Sequence, residues 1–77
     1  MQELLRTIVA GLVEDPSAIA ITEDDPNAEG VIVYHLHVAA DDMGRVIGKQ
    51  GRIARAIRII MRSGAAKSNQ KIAVEID

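Results

Sequence analysis

The chain has 77 residues, 48% of them apolar, with no cysteine and a formal net charge of −2. That length predicts one small domain over residues 1–77, and the composition excludes a disordered chain, a disulfide scaffold and a thiolate zinc site. Glu3 stands where a secretory leader carries basic residues, and no apolar run approaches the roughly 20 residues of a membrane span, so the expectation is a soluble protein of a reducing cytoplasm.

Leu4, Leu5, Ile8, Val9, Leu12 and Val13 recur at the spacing of an amphipathic helix. Glu14-Asp15-Pro16-Ser17 ends it, since proline cannot continue the hydrogen-bond ladder. Ile19 and Ile21 alternate with small or polar neighbours and predict a short strand; Asp24 to Gly30 follows as a polar turn region. Val31 to Val38 is the clearest strand, with Ile32, Tyr34, Leu36 and Val38 on the core face and Val33, His35 and His37 on the other. Asp41 or Asp42 offers an N-cap for a short helix over Met43-Gly44-Arg45-Val46-Ile47. A longer helix runs from about Arg52 to Ser63 or beyond, with Gly64 and Ser68-Asn69-Gln70 marking its end region. Ile72, Val74 and Ile76 then alternate with Ala73, Glu75 and Asp77 in a last strand. The predicted fold is α+β in the order α-β-β-α-α-β, a three-stranded sheet with three helices on one face.

Between the two later helices lies Gly48-Lys49-Gln50-Gly51. Glycines at 48 and 51 permit positive φ and let another chain approach without a Cβ in the way. Lys49 sits at the tip, beside the first free N–H groups of the following helix, which attract anions. At about 100° per residue, Arg52, Arg55, Arg58 and Arg62 share one side of that helix, and Ile53, Ala56, Ile57, Ile60 and Met61 the opposite side. The charge is segregated along the chain as well. Met43 to Lys71 holds eight basic residues and no acid, whereas the remainder holds one basic residue, Arg6, and all eleven acids. A solvated helix face would intersperse glutamates for i,i+4 pairing. A run of 29 residues without one therefore points to a polyanionic partner despite the net negative charge.

The stretch from Gly44 to Arg58, with two strands before it and one after, resembles the KH domain, whose GXXG loop clamps about four nucleotides of single-stranded nucleic acid. The strand order resembles the type II layout, and the likeness, strongest to the KhpA-type stand-alone single-KH proteins of bacteria, covers essentially the entire chain. Ala54 departs from the wider pattern, where a larger aliphatic residue is common, and implies a shift of the helix against the sheet. The resemblance implies a non-enzymatic, cytoplasmic RNA-binding protein without cofactor, an RNA chaperone or post-transcriptional regulator. Its implied partners are single-stranded RNA and either a second copy or a larger Jag-type KH protein. The RNA site it implies comprises Arg45, Val46, Ile47, Gly48, Lys49, Gln50, Gly51, Arg52, Ile53 and Arg55. Lys49, Gln50 and the Gly51 N–H would hold phosphates, Arg52 and Arg55 add charge, and Val46, Ile47 and Ile53 floor the bases. The second strand would form the opposite wall.

Other chemistries fit less well. His35 and His37 share a strand face, but a third metal ligand would have to come from a distant acid. Gly44 to Gln50 misses the P-loop pattern twice, having three intervening residues and a glutamine in place of the magnesium-binding hydroxyl. Glu23, Asp24, Asp25 and Glu29 read as a solvated loop, and no serine or histidine is placed as a nucleophile pair. Modules that stack bases need aromatic residues; Tyr34 is the single aromatic here, and its phase points to the core. Ile59 falls between Arg52 and Arg55 on the wheel, off the apolar arc. It raises the alternative of a dimerisation or scaffold module with incidental RNA affinity.

Overall fold

The computed structural model describes residues 1–77. Helices α1 (Gln2–Ala10), α2 (Met43–Ile47) and α3 (Arg52–Lys67) and strands β1 (Ala20–Glu23), β2 (Val31–His37) and β3 (Lys71–Ile76) follow in the expected order α-β-β-α-α-β. Short 3-10 turns at Pro16–Ala18, Ala40–Asp42 and Lys49–Gly51 join them.

The sheet order is β1-β2-β3, with β1 antiparallel and β3 parallel to the central β2. A turn closes the antiparallel pair, and its chemistry is local: the Asn27 side-chain oxygen accepts from the N–H groups of Glu29 and Val31 at 2.9 and 3.0 Å. Parallel strands need a crossover, and α2, the glycine loop and α3 supply it. This connection lays the helices on one face of the sheet. Leu5 and Val9 of α1, Val46 of α2, and Ile57, Met61 and Ala65 of α3 close over Ile21, Tyr34, Leu36, Val38, Ile72 and Val74. Tyr34, Leu36 and Val38 thus occupy the predicted core face, while Ile32 is half-buried.

Three local expectations change. First, α1 stops at Ala10 rather than continuing through Val13, with Gly11, a poor helix former, immediately after it. Leu12 and Val13 still pack against the core from the turn beyond. Second, the Asp42 carboxylate caps no helix. Asp42 itself has helical φ/ψ, −97° and −5°, so α2 grows straight out of the preceding turn, whereas a capping side chain needs extended backbone. The carboxylate reaches back across the fold to the N–H groups of Glu14 and Asp15, both at 3.1 Å. Arg45 Nε completes its shell at 3.0 Å, and Asp42 is the one buried charged residue.

Third, α3 is rotated relative to the hydropathy wheel. Its buried stripe is Ala54, Ile57, Met61 and Ala65, while Ile59 and Ile60 are 54% and 47% exposed. Which side of α3 is buried is set by packing against α1, α2 and the sheet, and that tertiary context overrides the hydropathy of the helix taken alone.

Candidate nucleic-acid interface

The two loop glycines do different work. Gly48 has φ 74° and ψ 174°, a region open essentially to glycine alone. A Cβ there would overlap Ile53 Cγ1 and lie 2.9 Å from Ile53 Cβ. Gly48 is thus a packing requirement that lets α2 turn sharply into α3. Gly51 is left-handed too, at φ 74° and ψ 15°, but a Cβ on it would meet nothing within 4 Å. Its bare face looks outward. Between them Gln50, a non-glycine residue, is also held left-handed at φ 58°.

The side chains of Lys49 and Gln50 are therefore exposed at the start of α3, whose first N–H groups have no side-chain cap. Arg52 Nη2 reaches the Gln50 side-chain oxygen at 3.4 Å, the long limit of a hydrogen bond. Lys49, Arg52, Arg55, Arg58, Arg62, Lys67 and Lys71 have no carboxylate partner within ion-pair distance. Arg45 is the exception. Its guanidinium pairs with Asp42 Oδ1 at 3.0 Å and Glu14 Oε1 at 2.7 Å, which commits it to tying α2 to the turn after α1.

Beyond the loop, a cleft of about 370 Å³ opens between α3 and β3, lined by Arg58, Arg62, Ile72, Ala73, Val74 and Glu75. Arg58 follows Arg52 by six residues, so the cleft begins about 9 Å along the helix from the loop. The second strand, β2, expected as the opposite wall, is central with both edges paired, whereas the strand lining this cleft is the edge strand β3. Arg58 half-buries its side chain against that edge and donates from Nε to the Val74 carbonyl at 3.1 Å.

The structure brings Gly48, Lys49, Gln50, Gly51, Arg52 and Ile53 together in the loop and the first turn of α3, with Arg55 exposed one turn on. Ile53 packs beneath Gly48, and Ile47 is 37% exposed beside the loop. Val46 is wholly buried in the core, beneath the loop rather than on its surface. Arg58, Arg62 and the residues of β3, which line the cleft, are not among the expected site residues. Their signal in sequence is the continuation of the arginine row toward the helix end, but which strand it faces depends on sheet order.

The electrostatics of the opposite sheet face differ. His35 lies between two carboxylates, with Nε2 2.8 Å from Asp24 Oδ2 and Nδ1 3.5 Å from Glu75 Oε2. The Asp24 hydrogen bond, aided by the charges of Asp24, Glu75 and Asp77 against some burial, raises its pKa above the ordinary 6.5. Hydrogen bonds from the Glu14 and Asp15 backbone and from Arg45 hold the Asp42 carboxyl below its usual 3.8, with burial opposing them. Burial, with Glu23 adding to it, pushes the phenol of Tyr34 up, and that ring is not available for stacking.

A three-stranded mixed sheet in α-β-β-α-α-β order, with a GXXG loop entering its long helix, is the architecture of a type II KH domain. The family model described as KhpA/KhpB, KH domain, matches residues 2–76. Proteins named RNA-binding protein KhpA are similar over nearly the entire chain. That of Clostridium acetobutylicum is 46% identical over 76 residues, covering 99% of both chains. That of Listeria monocytogenes is 45% identical, covering 99% of this chain and 97% of the relative. The chain belongs to the KhpA/KhpB KH-domain family. Membership places it among binding proteins rather than enzymes. Among solved structures, a variant of Aquifex aeolicus Era bound to GDP·AlF4− shares the fold, with a TM-score of 0.68 at 20% identity. The match covers 96% of this chain but only 28% of that longer one. No helix is long and apolar enough to cross a membrane.

Proposed function

We propose that the chain is a cytoplasmic RNA-binding protein, acting as an RNA chaperone or post-transcriptional regulator. It grips single-stranded RNA with the Gly48-Lys49-Gln50-Gly51 loop and the arginine row of α3. A base then enters the α3–β3 cleft. The observation that carries this function is the outward bare face of Gly51 beside Lys49, which has no carboxylate partner. A sugar-phosphate chain can lie against that backbone and meet N–H donors and a cation together. The names of the KhpA relatives, which call them RNA-binding proteins, support the same function.

Arg45 contributes to the site by fixing α2, since its guanidinium is already neutralised by Asp42 and Glu14. Val46 contributes by packing. Ile47 and Ile53 are the apolar residues nearest the loop. The test is a Lys49→Asp, Gln50→Asp double variant: it should fold as the parent does and lose RNA binding. For the parent, neutralising three or four phosphates gives a log–log salt slope of about −2 to −3. Intact binding by the folded double variant, or a slope near zero, would overturn the proposal.

A second role is favoured by the exposure of Ile59 and Ile60 on α3 and of Leu4 on α1. Gly64 lets Met1 and Leu4 lie close against α3, since a Cβ there would sit 3.0 Å from Met1 Cε and 3.3 Å from Leu4 Cδ2. Exposed Ile59 would join a second copy or a Jag-type KH protein, and linking two weak RNA sites would raise avidity. Light scattering on Ile59→Asp should then report a monomer where the parent is a dimer. An unchanged dimer would remove Ile59 from that interface.

A further inference from the structure

The cleft between α3 and β3 has an uneven hydrogen-bonding edge, and Arg58 is the cause. Along β3, the Asp77 N–H donates inward to Leu36 of β2 at 2.9 Å. Backbone groups alternate in direction along a strand, so residues 73, 75 and 77 turn toward β2 while 72, 74 and 76 turn toward the open edge. An open strand edge ordinarily offers a carbonyl acceptor beside an N–H donor. Adenine and cytosine match that pair, each placing an exocyclic amino group next to a ring nitrogen acceptor.

At residue 74 one lone pair of the acceptor is already in use. Arg58 Nε already donates to the Val74 carbonyl at 3.1 Å. Free toward the cleft are the Val74 N–H and the terminal nitrogens of Arg58, which have no other hydrogen-bond partner. Around residue 74 free donors therefore outnumber free acceptor positions. An amino group brought here would have to share the Val74 carbonyl with Arg58, whereas the O6 and N7 of guanine or the O4 of uracil would meet free donors directly. Arg62, one helical turn further and also lining the cleft, adds positive charge but no hydrogen bond to the strand edge.

We infer that Arg58 is a specificity-determining residue: by competing for the Val74 carbonyl and presenting free donors beside it, Arg58 makes the cleft favour keto bases, guanine and uracil, over amino bases, adenine and cytosine. The inference rests on the RNA-binding function proposed above. The discrimination expected from one matched against one mismatched edge is about tenfold.

The experiment measures affinities of the full chain for two RNA octamers at fixed salt, UGUGUGUG with keto bases alone and ACACACAC with amino bases alone. The expected parent result is about tenfold tighter binding of the first. Arg58→Met keeps much of the aliphatic stem and frees the Val74 carbonyl, so both affinities fall and the ratio collapses toward one. Arg62→Met should weaken both octamers and keep the ratio. A folded Arg58→Met with the parental ratio overturns the assignment. Equal affinity of the parent for both octamers overturns it too, whether or not any variant folds, and leaves RNA binding standing. Binding of neither octamer by the parent overturns both proposals.

Discussion

Replacing each loop glycine by alanine separates a packing role from an access role. At Gly48 the substitution puts a Cβ onto Ile53 and forces a side chain into the φ 74°, ψ 174° region. Backbone strain of this kind is worth about 1–3 kcal/mol, and overfilling a packed site about 1–3 kcal/mol more. At Gly51 the added methyl meets nothing, and the left-handed backbone alone opposes it, by about 1–2 kcal/mol. For a domain of this size, 1 kcal/mol moves the melting midpoint by about 4–8 °C. Thermal melts by far-UV circular dichroism should therefore show a fall of roughly 10 °C for Gly51→Ala and roughly 25 °C for Gly48→Ala. Gly51→Asn should recover part of its loss, because asparagine tolerates the left-handed region. Gly51→Ala should also weaken RNA binding while still folded, since its methyl stands on the open face. Equal losses at the two positions would refute the division of labour.

Asp42→Asn should lower the melting midpoint and flatten its dependence on acid. The folded carboxyl titrates below its ordinary value, so its stabilisation is complete above about pH 4 and is lost as pH falls through the folded pKa. A variant whose acid melting profile matches the parent's would count against the role assigned to the Glu14 and Asp15 hydrogen bonds. His35 works with the opposite sign. Its folded pKa is raised, so its contribution is complete below pH 6.5 and lost as pH rises through the folded value. NMR titration of the imidazole should give a midpoint above 6.5, and His35→Gln should lose that part of the pH dependence. A midpoint at or below 6.5 would contradict the carboxylate pairing.

The order of elements is legible in this chain because strand and helix periods are carried by branched and aliphatic residues at regular spacing. Tyr34, Leu36 and Val38 face the core as their alternation requires. The glycine loop is legible too, since positive φ at 48 and 51 leaves a mark in composition. What escapes is whatever depends on pairs distant in sequence. Asp42 looks like a helix cap because its neighbours begin a helix, yet its hydrogen-bond partners lie 27 and 28 residues away. Arg45 looks free for the same reason, its partner Glu14 being 31 residues upstream. The face of α3 is misread because hydropathy favours Ile60 over Ala54 and Ala65, while the buried face is set by packing against elements distant in sequence. That the cleft beside α3 is lined by β3 rather than β2 depends on the strand order, a property of the sheet that no single segment encodes.

The open edge of β3 has a consequence for how the protein behaves at high concentration. Unpaired strand edges invite another chain to add itself, and flat, long edges are where such growth begins. One edge here, β1, is only four residues long. The other, β3, carries a guanidinium fastened across its middle carbonyl, with an uncompensated positive charge facing any newcomer. A second strand approaching β3 would have to displace Arg58 before it could form a ladder. The contact therefore stands in the way of strand addition at this edge, and a folded Arg58→Met should self-associate more readily than the parent when light scattering is followed with rising concentration.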